Sequence, residues 1–270
     1  MKNYAGPTDI MYHTGLSADM ICGAKYALVP GDPGRVEGLA KALDENALFV
    51  ASHRDYTTWL ARVENAPVLV MSTGMGGPCV TFAVEELARL GVETFIRVGT
   101  TGSIQEDLHL GDVVINTASV RMDGASRAYA PIEFPAVADP DTVLALREAA
   151  EESGIPFKTG ISISTDSFWP GQERYDSFGG YVLKRLQGSL EDFRHIGCTN
   201  YEMENATLFT LCSVLGLKAA SICGVVAKRT DSESVAPHEV YEKAEQRFQD
   251  VVKRALKKMI ARSRSGGNIS

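Results

Sequence analysis

Apolar and polar positions along the chain alternate with two periods. Short runs rich in apolar and β-branched residues at 25–29, 47–51, 57–63, 67–71, 94–98, 112–117, 158–165 and 219–227 read as strands. Between them, apolar residues recur at three- and four-residue spacing, which predicts helices over 35–43, 80–90, 141–153, 202–215 and from Val235 or His238 to Arg262. In 80–90 the inward stripe is Val80, Ala83, Val84, Leu87 and Leu90, and Gly91 ends the helix. In 141–153 Asp141 is the expected N-cap, with Leu144, Leu146 and Ala149 facing inward. Thr199 or Asn200 is the expected cap of 202–215, whose first turn then holds Glu202, Met203 and Glu204. Acids in a first turn are ordinary partners of the helix dipole. Strands alternating with helices throughout imply an α/β fold. A single domain over 1–262 would hold a central, mostly parallel mixed sheet covered by helices on both faces. The polar stretch 263–270 reads as a disordered tail.

Composition narrows the class of function. The chain has 270 residues, with 44% hydrophobic and 23% charged, enough for a sizeable core. A net charge of −7 argues against a nucleic-acid groove but not against a local pocket for one phosphate. No apolar run approaches the roughly 20 residues that span a membrane, and residues 1–9 contain no signal-peptide core. The five cysteines form no CxxC pair and suit a reducing, cytoplasmic setting. Cys22, Cys198, Cys212 and Cys223 sit among apolar residues and read as packing.

The chemistry centres on Phe95-Ile96-Arg97-Val98-Gly99-Thr100-Thr101-Gly102. It begins as a strand apolar on both faces and is expected to end as a glycine turn. Arg97 breaks the apolar pattern. A core guanidinium needs an anion, either a buried acidic partner or a bound ligand, and both stay open at this point. Gly99 and Gly102 would let a ligand approach the backbone, with Thr100 and Thr101 as hydroxyl donors, a set that suits phosphate. Pro30-Gly31-Asp32-Pro33-Gly34-Arg35 is a second anion candidate, a strand-to-helix turn with amides at a helix start. Alone it would read as a plain turn, and Arg54 in Ser52-His53-Arg54 as a solvated hairpin residue. Ser72-Thr73-Gly74-Met75-Gly76-Gly77-Pro78 approaches a dinucleotide fingerprint and fails it, because Cys79 stands at the third glycine. The loop Ser167 to Tyr175 carries Phe168, Gln172 and Arg174, too much specific chemistry for a linker.

These stretches, with Asn200-Tyr201-Glu202-Met203-Glu204, occur in an order and spacing that resembles the nucleoside phosphorylase family from about His13 to Asp231. The resemblance implies that family's fold and phosphorolysis of a nucleoside. It implies a phosphate site of Gly31, Arg35, Arg97 and Thr100, with Arg54 lent by a neighbouring subunit. It implies a ribose site of Thr100, Glu202, Met203 and Glu204, with His13 lent across the same interface, and a base site of Phe168, Gln172, Arg174 and Arg229. Arg97, Arg174 and Glu204 would carry the catalysis.

Uracil offers acceptor, donor, acceptor along its edge, which one amide plus one guanidinium can match, so uridine, deoxyuridine or thymidine is the expected substrate. Where purine-specific members carry an acid after the last strand, this chain has Arg229. The family's monovalent-cation site maps to Asp55, Met75 and Cys79. A shorter carboxylate and a thiol replace the usual Glu and Ser there, so potassium is not expected to be important. No other cofactor is implied. The expected assembly is a homodimer with shared sites, built up to a homohexamer, with no nucleic-acid or membrane partner.

Overall fold

The computed structural model describes residues 2–232 and 234–266. Among them the elements run β1 (Tyr26–Val29), α1 (Val36–Leu43), β2 (Leu48–His53), β3 (Tyr56–Val63), β4 (Ala66–Met71), α2 (Gly77–Arg89), β5 (Thr94–Ser103) and β6 (Val113–Met122). There follow β7 (Ala136–Val137), α3 (Pro140–Ser153), β8 (Phe157–Thr165), α4 (Ser189–His195), β9 (Asn200–Glu202), α5 (Asn205–Leu215), β10 (Lys218–Lys228) and α6 (His238–Gly266). All of these strands join one mixed sheet in the order β10-β6-β8-β9-β5-β1-β4-β3-β2, with β7 beside β6. Parallel pairing links β4, β1, β5 and β10 at the centre, while the hairpin β2–β3 closes one side. Because β10 also pairs with β6, the strands β5, β10, β6, β8 and β9 form a closed circuit.

Alternation along the strands feeds two cores. Leu28, Val68, Val70, Ile96 and Val98 pack with α1, α3 and α6 on one face. Ala27, Val29, Leu69, Met71 and Phe95 pack with α2, α5 and the N-terminal segment around Leu16 and Ile21 on the other. Arg97, two residues after Phe95, therefore belongs on the α2–α5 face by strand period. Helices on both faces explain why the central strands read as continuous apolar runs.

Several expectations need correction. Strand β5 does not turn at Gly99. It runs to Ser103, because β10 pairs alongside it through Lys228↔Ser103, with a bulge between Val225 and Ala227, and β9 pairs with its end. Glu202 does not open the following helix. Asn200–Glu202 is a strand held by β5 and β8, and α5 begins only after Glu204. The cap of α3 is Asp139, whose carboxylate accepts from the Thr142 amide at 2.8 Å, with Pro140 in the first turn. Leu144 then faces outward, whereas Leu146 and Ala149 are buried. Cys22 is exposed rather than packed, while Cys198, Cys212 and Cys223 are buried. Residues 263–266 of the expected tail continue α6, and 267–270 lie outside the described residues.

Candidate active site

The C-terminal ends of β1, β4, β5, β8, β9 and β10 gather the polar side chains that the inward-facing pattern could not explain. At their centre Arg97 is buried and its Nη2 donates to Glu204 Oε2. Its Nε stands 3.9 Å from Glu202 Oε2, and its Nη1 donates to the Cys223 thiol at 3.5 Å. Burial disfavours the charge on Arg97, but Glu204, Cys223 and Glu202 outweigh it and hold the guanidinium charged more firmly than usual. The second oxygen of Glu204 accepts from the Gly76 amide at 2.7 Å, which ties the Gly74–Gly77 loop to the pair.

Glu202 is used inside the fold. Its Oε2 accepts from the amides of Glu204 and Asn205, both at 2.7 Å, and its Oε1 from Ser164 and from Ser162 at 3.1 Å. Burial pushes its carboxyl above the ordinary range against the pull of Arg97. Thr101 likewise donates to the Tyr201 carbonyl at 2.6 Å, leaving Thr100, half-buried, as the hydroxyl nearer the surface. Met203 is half-buried between the two acids.

The loop residues expected to bind the base are brought together. Gln172 and Arg174 are buried, Arg174 Nε donates to Gln172 Oε1 at 3.4 Å, and the Arg174 guanidinium lies 4.2 Å from the Phe168 ring centre. Arg229 Nη1 donates to the Gln172 carbonyl at 3.0 Å, so the end of β10 braces the loop through its backbone. Gly102 lies against both arginines: a Cβ there would sit 3.5 Å from Arg229 Cγ and 3.8 Å from Arg174 Nη2.

The phosphate turn is less open than its sequence suggests. Gly34 and Arg35 amides bond to Asp32, and Gly31 is bonded through its carbonyl to the Gly74 amide. Arg35 Nε pairs with Glu245 Oε1 of α6 at 2.7 Å, beside a cavity of about 510 Å³ lined also by Asp32, Gly34 and Tyr241. His13 and Arg54 share Tyr12 as a neighbour. His13 stacks on Phe82 at 4.1 Å, and Arg54, at φ 55°, lies 5.2 Å over the Tyr12 ring. Asp55 and Cys79 flank Gly74, while Met75 is exposed. A larger groove of about 1200 Å³, lined by Tyr26, Thr94 and Lys218 among others, opens at the opposite strand ends and touches none of these residues.

Three residues escape a reading of the sequence. Cys223 reads as plain core yet touches Arg97. Glu173 fastens the base loop to the start of α4. Glu86 is buried on α2 and accepts from the His13 amide at 2.9 Å, the Thr14 amide at 2.8 Å and the His13 ring at 2.6 Å. Burial alone would raise its carboxyl, but these bonds hold it below the ordinary value. A signal exists for Glu86: it falls on the apolar stripe of Ala83, Leu87 and Leu90, where an acid needs partners.

Known proteins carry this arrangement further. A uridine phosphorylase of Escherichia coli is 50% identical over 223 residues, which cover 83% of this chain and 88% of that protein. One from Thermococcus kodakarensis is 46% identical over 210 residues, 78% of this chain and 75% of that protein. A guanosine phosphorylase of Halorubrum lacusprofundi is 37% identical over 201 residues, 74% and 77% of the two chains. Residues 25–257 match the family model of the phosphorylase superfamily, which spans the whole sheet and most of α6: the chain belongs to the phosphorylase superfamily.

Proposed function

We propose that the chain is a uridine phosphorylase, which splits uridine, and deoxyuridine or thymidine as variants, with inorganic phosphate. A hydrogen phosphate oxygen bonds to C1′ while the C1′–N1 bond breaks, its electron pair passing to the base, which takes up the proton that the phosphate gives up. Free base and (deoxy)ribose 1-phosphate leave, through an oxocarbenium-like state similar to that of glycoside cleavage. The observation that carries this reading is that one strand, β5, joins a buried cation–carboxylate pair, Arg97 with Glu204, to the loop pair Gln172–Arg174, which Gly102 at the end of β5 lies against. Relatives of 46–50% identity named for uridine support the base.

In this reading Arg97, with Gly31, Arg35, Thr100 and a second subunit's Arg54, binds the phosphate dianion below the sugar. Glu204 accepts from the 2′- and 3′-hydroxyls, Met203 and Thr100 pack on the ribose, and Glu202 serves the ribose site by holding the Glu204 and Asn205 amides. Phe168 stacks on the base, and Gln172 and Arg174, braced by Arg229, stabilise charge growing on the uracil carbonyls. Holding both reactants together lowers the remaining barrier. The reading makes the enzyme a cytoplasmic homodimer with shared sites, assembled to a homohexamer. The five free cysteines suit a reducing compartment.

Asp55, Met75 and Cys79 are a poor donor set for a hard monovalent cation. Burial and then Asp55 push the Cys79 thiol up, and the Met75 side chain offers only a thioether, which leaves its backbone carbonyl as the hard oxygen that residue can supply. No step is assigned to such an ion.

The test is incubation with uridine or guanosine, with and without phosphate. Free uracil should appear only with phosphate. Equal release without phosphate would make the protein a nucleosidase, and release of guanine in preference would move it to the purine branch. Binding without release would leave a nucleoside-binding protein.

A further inference from the structure

Glu173 stands between the two residues proposed to read the base and points away from both. We infer that Glu173 is a positioning residue that locks the loop carrying Gln172 and Arg174 onto the turn opening α4, and so sets the geometry of base recognition. The inference rests on the base-site reading above.

The backbone argues first. Glu173 is held at φ 53°, a left-handed conformation that a non-glycine residue keeps only where its surroundings impose it. The surroundings do impose it. The Glu173 amide donates to the Pro170 carbonyl at 3.2 Å and the Arg174 amide to the Trp169 carbonyl at 2.8 Å, which closes a tight turn. Arg229 donates to the carbonyls of Gln172 and Glu173, at 3.0 and 3.4 Å.

The side chain argues second. Its carboxylate, with the residue only 9% exposed, accepts from the amides of Gly188 and Leu190, the latter at 2.7 Å, and from Ser189 Oγ at 3.3 Å. Tyr175 Oη donates to it at 3.2 Å. Two converging backbone amides call for an acceptor with two free oxygens. An Asp would fall one methylene short, and a Gln would turn N–H groups toward N–H donors. With Glu173 tied on one side, Gln172 and Arg174 are directed to the other, where Arg174 meets Phe168.

The test uses the full chain with Glu173→Gln, and with Glu173→Gly, which keeps the left-handed backbone without the carboxylate. Each is made alone and on a Gln172→Ala background. The readings are uridine kcat/KM, phosphate KM, uridine binding by equilibrium dialysis, and thermal midpoint. A positioning role lowers uridine kcat/KM about tenfold or more and leaves phosphate KM within about twofold. The further loss on the Gln172→Ala background should be much smaller, because both changes strike one unit. Unchanged uridine kinetics, equal damage to phosphate saturation, or the same fold-loss on both backgrounds would reduce Glu173 to a structural staple. If Glu173→Gln does not fold, Glu173→Gly gives the same reading. A wild-type chain that neither splits nor binds uridine overturns the base site and this inference together, whereas an active wild type with indifferent variants overturns this inference alone.

Discussion

A guanidinium buried on a strand has to be neutralised, and Arg97 has two carboxylates in reach, Glu204 in contact and Glu202 at 3.9 Å. The two readings open at the level of sequence, an acidic partner or a bound anion, thus converge. In the structure the partner is Glu204, and in the proposed mechanism the same arginine serves phosphate while Glu204 turns to the ribose. Removing one member of a buried pair leaves the other unpaired, which costs about 3–5 kcal/mol, while replacing both by apolar groups is far milder. Arg97→Met should therefore abolish phosphorolysis and lower unfolding stability by about 3 kcal/mol. Arg97→Met with Glu204→Met should be as inactive but more stable than Arg97→Met alone. Urea unfolding of the three proteins checks this. A double variant less stable than Arg97→Met would mean that Glu204 is held by the Gly76 amide and its other surroundings rather than by the arginine.

Strand β5 connects the residue to the fold. Its glycines read in sequence as openings for a ligand, but Gly99 makes room for a side chain of its own strand. A Cβ there would fall on the Arg97 guanidinium, which folds back over the strand. Gly99 has no left-handed φ, so Gly99→Ala should keep the strand and displace the Arg97 guanidinium from its place beside Glu204. The expected outcome is a phosphate KM raised about tenfold, worth about 1.4 kcal/mol, together with a lowered thermal midpoint, because Glu204 is left without its buried partner. An unaltered phosphate saturation curve would separate Arg97 from the phosphate site. The same strand shows what sequence can and cannot disclose. Strands covered on both faces announce themselves as apolar runs, so β1, β4, the first half of β5 and β10 are legible. The polar extension of β5 and the three-residue β9 are not, because both depend on pairing between residues about a hundred positions apart, as in Gly102↔Tyr201. Helix α4, seven residues long, is too short to show a period. At the site, residue identities are readable from turns and misplaced charges. The ties between them, Arg97 to Glu204 or Glu86 to His13, span 107 and 73 positions and carry no local signal.

At the scale of the whole molecule, the proposed dimer would use the surface around His13. Ile10, Tyr12 and Phe82 are exposed apolar or aromatic residues beside it. The His13 ring is held by Glu86 and Phe82, and the exposed Arg54 lies over Tyr12. In the proposed dimer a fixed His13 ring and an exposed Arg54 would be lent to a neighbour across a two-fold interface, where the exchange is reciprocal. Each proposed site then needs Arg97 and Glu204 from one chain and His13 and Arg54 from the other. A chain with His13→Ala and Arg54→Ala should be inactive alone, as should one with Arg97→Ala and Glu204→Ala. Refolded together they should regain activity. The first supplies an intact pocket and the second lends His13 and Arg54, so a mixed dimer holds one complete site of two. With random pairing about half of all dimers are mixed, so recovery should approach about a quarter of the wild-type rate per chain. Native mass spectrometry of the same sample counts the mixed dimers. Mixed dimers in the expected amount without recovered activity would show that each site is built within one chain.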